Sequence, residues 1–562
     1  MKVVLATFNA SYSHVPLALY ALKAHCAKYA GEIAIESFTA SQPDEAALDA
    51  ICKHNPVAVG FSCYVWNIEK TLCVAYALKK RLPGVLVIFG GPEVSGNGGE
   101  TYLTGGFADI AVTGEGEKPL NKILDRLFAI ETGGAIKNGN PLKTVNDIIF
   151  SHEIKTENKR DSIKTAATDN FFAREKCGVC NPDASTIACG VAGASYLYNG
   201  RIVYNPTETP AGIFSFPFPY PDGFHGFIKK TLYYEASRGC PFKCAYCMSS
   251  LAGTPRRREL SDVFAHLKLL MKSGARRVKF VDRTFNADED YATAIWDFLT
   301  ENDDGSMSFH FEAAAELLGE KSFASIGRAR PGYFQFEAGI QSTDPDVLQN
   351  VGRHSHIPLA LKNIKRLAAR GNAHTHVSLI AGLPGDRIAT IEKSFNDVCE
   401  TGAAQIQLGF LKVLKGTRLW EEALNYGIAC AGRPPYEIIK SDTLSEAEVK
   451  ALKAVAWSVD SFRNTGFFAH TVGYLLRFFN GPFDLFASIS RFLSAGGRIL
   501  ADRSKPRLFA LMLAYYDECA KDFPEIIGRE AFIEILRQDF MSGKNEMHPP
   551  TFLRAKITPA PK

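Results

Sequence analysis

The sequence has no long apolar run, no surplus of charge of either sign and no compositional bias, and each absence removes a class of function. No apolar stretch reaches the ~18 residues that a membrane helix needs; the richest, LFALMLAYY at 508–516, falls well short. Lys and Arg number 64 against 60 Asp and Glu, a formal charge of +4 over 562 residues. That balance does not suit a grip on phosphate backbones, so nucleic acid is not an expected partner. With 46% hydrophobic and 22% charged residues, the composition is globular and excludes a disordered or fibrous chain. The opening MKVVLATFNASYSH turns polar after a few apolar residues and reads as a buried strand rather than a signal peptide. A soluble, cytoplasmic protein of about three or four domains is expected, at ~150 residues per domain.

Cysteine is what the chain does have, with 13 in all. In a reducing compartment such residues are metal ligands, catalytic thiols or core residues rather than disulfides. Cys26, Cys52, Cys63, Cys73, Cys399, Cys430 and Cys519 each stand alone in apolar surroundings and read as core. Two clusters remain, Cys177/Cys180/Cys189 and Cys240/Cys244/Cys247. The first sits in a polar stretch without an evident fourth ligand, and both a second metal site and a plain loop stay open for it.

Hydrophobic periodicity divides the chain. Residues 1–125 alternate short β-branched runs (VVLATF, IAIESF, VAVGFS, VLVIFG, ADIAVTG) with helical patterns, which predicts a doubly wound, Rossmann-like parallel sheet. Ligands of such sheets bind outside the carboxyl ends of the strands, here Asn9 to His14, Ser62, Gly90-Gly91-Pro92 and Thr113 to Gly116. Residues 126–229 are polar and weakly periodic, ending in the proline-rich FSFPFPYPDGF; they read as a linker with an insertion. Residues 230–425 resume alternation as six βα units, which predicts a partial (β/α)6 barrel. In YFQFEAGIQ, Gln335, Glu337 and Gln341 share one face by period two, and Gln405 and Gln407 form a similar face. A barrel packed only for stability does not need those side chains. Residues 430–562 read as a helical domain opened by a Ser445/Glu448 capping box.

Directly after the first barrel strand comes SRGCPFKCAYCMSS, a C-x3-C-x2-C spacing that chance produces in roughly 1% of such chains. Three close thiolates at a barrel mouth can hold three irons of a [4Fe–4S] cluster and leave the fourth open. A structural zinc site would want a fourth nearby ligand, and residues 248–265 offer none.

With these residues in view, the sequence resembles the cobalamin (B12)-binding-domain radical S-adenosylmethionine (SAM) proteins, the class of the B12-dependent radical SAM methyltransferases, in a subfamily with a helical C-terminal domain. The carriers are NASYSHVPLALYAL, GGPE, GEGE, YYEASRGCPFKCAYC, VDRTFN, FEAGIQS, LIAGLPG and QLGFLKVLKGT. The resemblance implies three cofactors, a [4Fe–4S] cluster, SAM and cobalamin. It assigns Cys240, Cys244 and Cys247 to the cluster, Tyr246, Asp282, Glu337 and Gln341 to SAM, and Tyr12, His14, Ser62, Gly90, Gly91 and Glu115 to cobalamin. It further implies an electron donor such as flavodoxin or ferredoxin, and a small-molecule, lipid or peptide substrate. The activity implied is methylation of an unactivated carbon or phosphorus; the alternatives are a radical rearrangement or cyclisation on the same cofactors, or a non-catalytic cobalamin-binding regulator. A tRNA methylthiotransferase would want cysteines at the first-domain strand ends and a C-terminal β-barrel, where Asn9 and a helical pattern stand.

Two departures from the family pattern matter. The G-G-E SAM motif is replaced by VDRTFN, and the D-x-H-x-x-G motif that supplies histidine to cobalt is replaced by Tyr12-Ser13-His14 with Leu17 in the glycine's place. Without its carboxylate partner the imidazole is a poorer ligand, so no protein nitrogen is expected on cobalt. Of the side chains left over, His310 and Glu312 share a strand face and can reach substrate. Arg256-Arg257-Arg258 reads either as a solvated run or as a contact to the SAM carboxylate.

Overall fold

The computed structural model describes the chain apart from residues 97–98, 132–182, 209–213, 221–226, 498–502, 524, 543–548 and 555–562. Cys177 and Cys180 lie outside the described residues; Cys189 is buried in the first core.

The first sheet holds β1 (Val3–Asn9), β2 (Ile33–Thr39), β3 (Ala58–Ser62), β4 (Leu86–Gly90), β5 (Ile110–Val112), β6 (Ala194–Tyr198) and β7 (Arg201–Tyr204) in the order β2-β1-β3-β4-β5-β6-β7. Its first five strands are parallel, and helices cover both faces, so the inner strands β3, β4 and β5 are apolar on both sides, whereas the edge strand β2 carries Glu36 and Ser37. The doubly wound expectation therefore fits, but the sheet does not end near residue 125. β6 and β7 form an antiparallel hairpin on the edge of β5, turned by Asn199-Gly200 with both φ positive. An Asn-Gly pair between alternating apolar residues is a strong hairpin signal, and here it sat inside the stretch read as linker. Ala188, Val191 and Tyr196 share a core with Val3, Leu5 and Ile110.

The second sheet holds β8 (Thr231–Tyr234), then, past the short antiparallel pair β9 (Ser237–Arg238) and β10 (Arg256–Arg257), β11 (Arg277–Phe280), β12 (Ser308–Ala313), β13 (Phe334–Gln341), β14 (His374–Ala381) and β15 (Gln405–Phe410). All six barrel strands run parallel in the order β8-β11-β12-β13-β14-β15, an open partial barrel. The period-two faces are as expected: Phe334, Phe336, Ala338 and Ile340 are buried, and Gln335, Glu337 and Gln341 are half-buried toward the lumen.

An open sheet has two edges to protect, and both are covered. On β8, Thr231 pairs with the loop after β1, Thr231 N donating to Ser13 O (2.8 Å) and Val15 N to Thr231 O (3.2 Å). On β15, the Asn464 side chain accepts from Ile406 N (3.0 Å) and donates to Ile406 O (2.7 Å), standing in for a strand. Asn464 follows the helix Glu446–Phe462, which the Ser445/Glu448 capping box does open. The C-terminal helices share one core with the far half of the barrel, Val455 and Val459 clustering with Val377 and Ile406.

The first domain also docks on the chain beyond β15. The Glu93 carboxylate, 6% exposed, accepts from Tyr102 Oη (2.9 Å) and from Tyr436 Oη of the short hairpin formed by β16 (Ala429–Cys430) and β17 (Ile438–Lys440). Gly96 lies against Lys415 and Gly416 so closely that a side chain at either glycine would collide with backbone. The glutamate of GGPE is therefore a clamp between domains. Cys26, Cys63 and Cys519 are core residues as expected, whereas Cys73 is exposed.

Candidate active site

The cysteine loop leaves β8 and crosses the mouth of the barrel. Ala245 N donates to Val351 O (2.8 Å) beyond β13, and Leu419 N donates to Ala245 O (2.9 Å) beyond β15, so the loop is anchored on the far side. At its start, Gly239 has φ +111 and an added Cβ would stand 2.6 Å from Thr254 O, a position only glycine fills. Cys240 Sγ lies 3.5 Å from Thr284 Oγ1, and Cys244 Sγ accepts from Arg353 Nη1 at 3.7 Å. That contact places a guanidinium on the second cysteine of the loop. Among the described residues no three His, Cys, Asp or Glu converge on one point as a mononuclear metal site requires. Cluster ligation does not ask for that, because each cysteine takes a different iron.

Two buried polar atoms at this mouth have no protein partner, Gln341 Oε1 and Arg353 Nε. Gln341 sits at a bulge in the β13/β14 register with φ +70, and its amide folds back over Gly339, where an added Cβ would displace it. A buried acceptor left without a donor fits a ligand with N–H groups beside the cysteine loop. Tyr246 is half-buried beside Arg353, and burial raises its phenol.

Below this lies a charged lumen. Glu337 accepts from His310, with His310 Nε2 at 3.4 Å and His376 Nδ1 at 4.0 Å; the His310 bond holds its carboxyl below the usual range. Glu312 is the in-register neighbour of Glu337, 3.6 Å from Arg283 Nη1, and burial pushes its carboxyl up to about 7. Lys279 aligns with Tyr233 and His310 on the same face.

Asp282 does not join that face. It is 1% exposed, and its carboxylate accepts from Ala236 N (3.1 Å), Ser237 N (2.6 Å) and Ser237 Oγ (2.6 Å), the residues that lead into the cysteine loop. The expected SAM contact is instead a brace for that loop. The three arginines are likewise taken: Arg256 pairs with Glu115, Arg257 with Asp288, and Arg258 donates to Glu235 O and Phe216 O. They are neither a solvated run nor free for a carboxylate.

The first-domain strand ends face this mouth. His14 Nδ1 bonds Tyr233 Oη, so the ring turns toward the barrel, and burial with nearby Lys279 lowers its pKa. Ser62 is buried, and Asn67 ties Ser62 O to Phe8 O, joining the ends of β3 and β1. Gly91, at φ +105, is required by its own packing, since an added Cβ would lie 2.6 Å from Cys63 O. Glu115, in the loop after β5, is bound to Arg256 and Arg238. What these ends do expose is aromatic: Tyr12 is 76% and Trp66 60% exposed, the latter stacked on Tyr64 at 4.3 Å. Flat exposed rings suit a large flat cofactor.

Three family models match in succession: a B12 binding domain over residues 1–124, the Radical SAM superfamily over 234–398, and a Protein of unknown function (DUF4080) over 424–562. The chain belongs to the cobalamin-binding radical SAM proteins.

Among curated relatives of this B12-binding radical SAM protein, it is 23% identical over 381 residues to an uncharacterised methyltransferase of Pyrococcus horikoshii, covering 66% of this chain and 71% of that one. It is 22% identical over 378 residues to the cobalamin-dependent radical SAM methyltransferase TokK of Streptomyces tokunonensis, covering 62% of this chain and 45% of TokK. The match thus spans less than half of TokK. In fold it is similar to the cobalamin-dependent SAM radical enzyme OxsB (TM-score 0.56, 14% identity, 96% of this chain and 83% of that one). It is similar too to TsrM of Kitasatospora setae with cobalamin and a [4Fe–4S] cluster bound (TM-score 0.55, 14% identity, 78% and 79%). The B12 and radical SAM domains bring cobalamin, a [4Fe–4S] cluster and SAM as cofactors. Among the described residues no helix is long and apolar enough to cross a membrane.

Sequence reasoning missed Arg353, His376, Trp66 and Arg238. His376 was recoverable, because HTHVSLIA alternates and His376 falls on the polar phase. Trp66 lies in the loop after β3 and Arg353 in the loop after the helix Pro345–Asn350, where no period marks them.

Proposed function

We propose that this protein is a cobalamin-dependent radical SAM methyltransferase acting on an unactivated carbon or phosphorus. The observation that carries the reading is the meeting of two built sites. A glycine-cradled cysteine loop with unpartnered Gln341 Oε1 lies over a polar lumen, and the aromatic strand ends of the first domain face the same mouth. Cys240, Cys244 and Cys247 hold the cluster, with Arg353 fixing the Cys244 side chain through its guanidinium. Glu337, kept ionised by His310 and His376, and Gln341 orient SAM from β13, with Tyr246 flanking it. Tyr12, Ser62 and Gly90 border the corrin, with Trp66 added and Glu115 removed from that set; Gly91 sets the close approach of β3 and β4. When bound, the groups supply homolytic SAM cleavage by the reduced cluster and carriage of a methyl group on cobalt. The chain contributes alignment and exclusion of solvent, with His14 and Tyr233 sealing the seam. The lumen walls contributed by Lys279, His310, Glu312, Glu337, His374 and Gln405 favour a hydrophilic substrate over an aliphatic lipid chain. A flavodoxin or ferredoxin supplies the electron.

The test is an anaerobic incubation of reduced, reconstituted protein with methyl-labelled SAM and a cell extract. Equal amounts of 5′-deoxyadenosine and S-adenosylhomocysteine, with label in a new product, support the reading. 5′-Deoxyadenosine without a methylated product points to rearrangement or cyclisation, and no SAM cleavage at all points to a regulator.

A further inference from the structure

Between the first domain and the barrel, three arginines and three glutamates from separate segments share one half-buried seam. Arg238, two residues before Cys240, is its centre. Its guanidinium donates to Glu117 (Nη2–Oε1 2.8 Å, Nη1–Oε2 3.3 Å) and to Glu235 (Nε–Oε1 3.0 Å, Nη2–Oε2 2.7 Å), with Nη1 also 3.3 Å from Glu115 Oε2. The plane lies near the rings of Phe214 and Phe216, at 4.7 and 5.1 Å from their centroids. Glu115 also pairs with Arg256, and Arg258 stands 4.4 Å from the Phe214 centroid. Glu117 is 5% exposed; burial acts to raise its carboxyl, but the charge and hydrogen bonds of Arg238 hold it below the usual range.

A buried ion pair is weak evidence for stability, since desolvation offsets much of the attraction. What it does supply is geometry, because the planar fork of arginine meets a carboxylate in one orientation. Glu115 and Glu117 follow β5 in the cobalamin domain, whereas Glu235 and Arg238 lead from β8 to the cysteines. Only Gly239, wedged against Thr254 O, separates Arg238 from Cys240, so the link has little slack. On the far side Ala245 is fixed to Val351 and Leu419.

We propose that Arg238, gripped by Glu117, is a positioning residue that sets the cobalamin domain against the cluster loop. This rests on the methyltransferase reading above. Methylation needs cobalt, SAM and cluster in register, whereas SAM cleavage needs only cluster and SAM. Loss of the grip therefore uncouples the two.

The experiment uses the full chain reconstituted with cluster and cobalamin, as wild type, Arg238→Lys and Glu117→Gln. Lysine keeps the charge and loses the fork; glutamine removes the carboxylate from the cobalamin domain and leaves the cysteine loop untouched. Two quantities are read without substrate: the magnetic coupling of cob(II)alamin to the reduced cluster by electron paramagnetic resonance, and the ratio of initial rates at which SAM gives S-adenosylhomocysteine, up to one methyl per bound cobalamin, and 5′-deoxyadenosine. In both variants the coupling broadens or weakens and the ratio falls about tenfold or more, as an ångström-scale misplacement allows, while 5′-deoxyadenosine formation stays within about twofold. If Arg238→Lys loses iron, Glu117→Gln alone decides. Unchanged coupling and an unchanged ratio in Glu117→Gln overturn the inference. Two uncoupled centres already in the wild type overturn the methyltransferase reading itself, and the inference with it.

Discussion

Asp282→Ala separates a brace from a SAM contact. The wild-type carboxylate receives Ala236 N, Ser237 N and Ser237 Oγ in a site only 1% exposed. Removing it leaves two amides and a hydroxyl without a partner, at about 1–3 kcal/mol each. The loss is offset in part because burial pushes the Asp282 carboxyl up to about 7, so the wild type carries a cost of its own. A net local loss of about 2–4 kcal/mol follows, which raises hydrogen exchange of the segment around 236–237 by roughly 30- to 1000-fold. Peptide-resolved exchange reads it on the protein without cofactors, and iron per chain after reconstitution falls with it. The pH dependence has a defined sign. A carboxyl raised in the folded state binds more protons there than in the unfolded chain between about pH 4 and 7, so its contribution to stability declines as pH rises through that window. Asp282→Ala removes that slope. Unchanged exchange and iron content, with SAM affinity alone weakened, would refute the brace and return Asp282 to the SAM site.

Other perturbations have equally definite outcomes. Glu337→Ala leaves iron content unchanged and weakens SAM binding about tenfold by equilibrium dialysis, as expected for one charge-assisted hydrogen bond of ~1.5 kcal/mol. Gly91→Ala brings Cβ to 2.6 Å from Cys63 O at φ +105, and thermal unfolding of the cobalamin-free chain shifts down by the equivalent of about 2–4 kcal/mol. His14 is bonded through Nδ1 to Tyr233 and its pKa is lowered by burial, so it is expected to leave cobalt without a protein nitrogen. The Co(II) form then shows no triplet nitrogen splitting that disappears in His14→Ala; such a splitting would contradict the placement.

Much of the architecture was legible because period two and period 3.6 are strong where one face is buried. The polar phase of YFQFEAGIQ marked the lumen, and the C-x3-C-x2-C spacing marked the mouth, before any coordinate. The hairpin β6–β7 escaped because its Asn-Gly turn sits in a stretch whose composition dominates a coarse reading, although the local signal was present. Glu93, Glu115, Gly91 and Asp282 stand in motifs that a ligand explains as well as packing does. Only the partners decide: Tyr102 and Tyr436 for Glu93, arginines for Glu115, the Cys63 carbonyl for Gly91 and the Ser237 amide for Asp282. Those partners come from distant segments, and no spacing rule reaches across 343 residues from Glu93 to Tyr436.

The measurement that bears most directly on the central claim is metal content of the anaerobically reconstituted chain beside its Cys240→Ala/Cys244→Ala/Cys247→Ala variant. The wild type is predicted to carry about four irons and one cobalamin per chain, and the variant to lose the iron, the iron–sulfur absorbance and all 5′-deoxyadenosine formation while keeping its cobalamin. Full iron loading with normal SAM cleavage in the variant, or a wild type that takes up no cobalamin, would contradict the account.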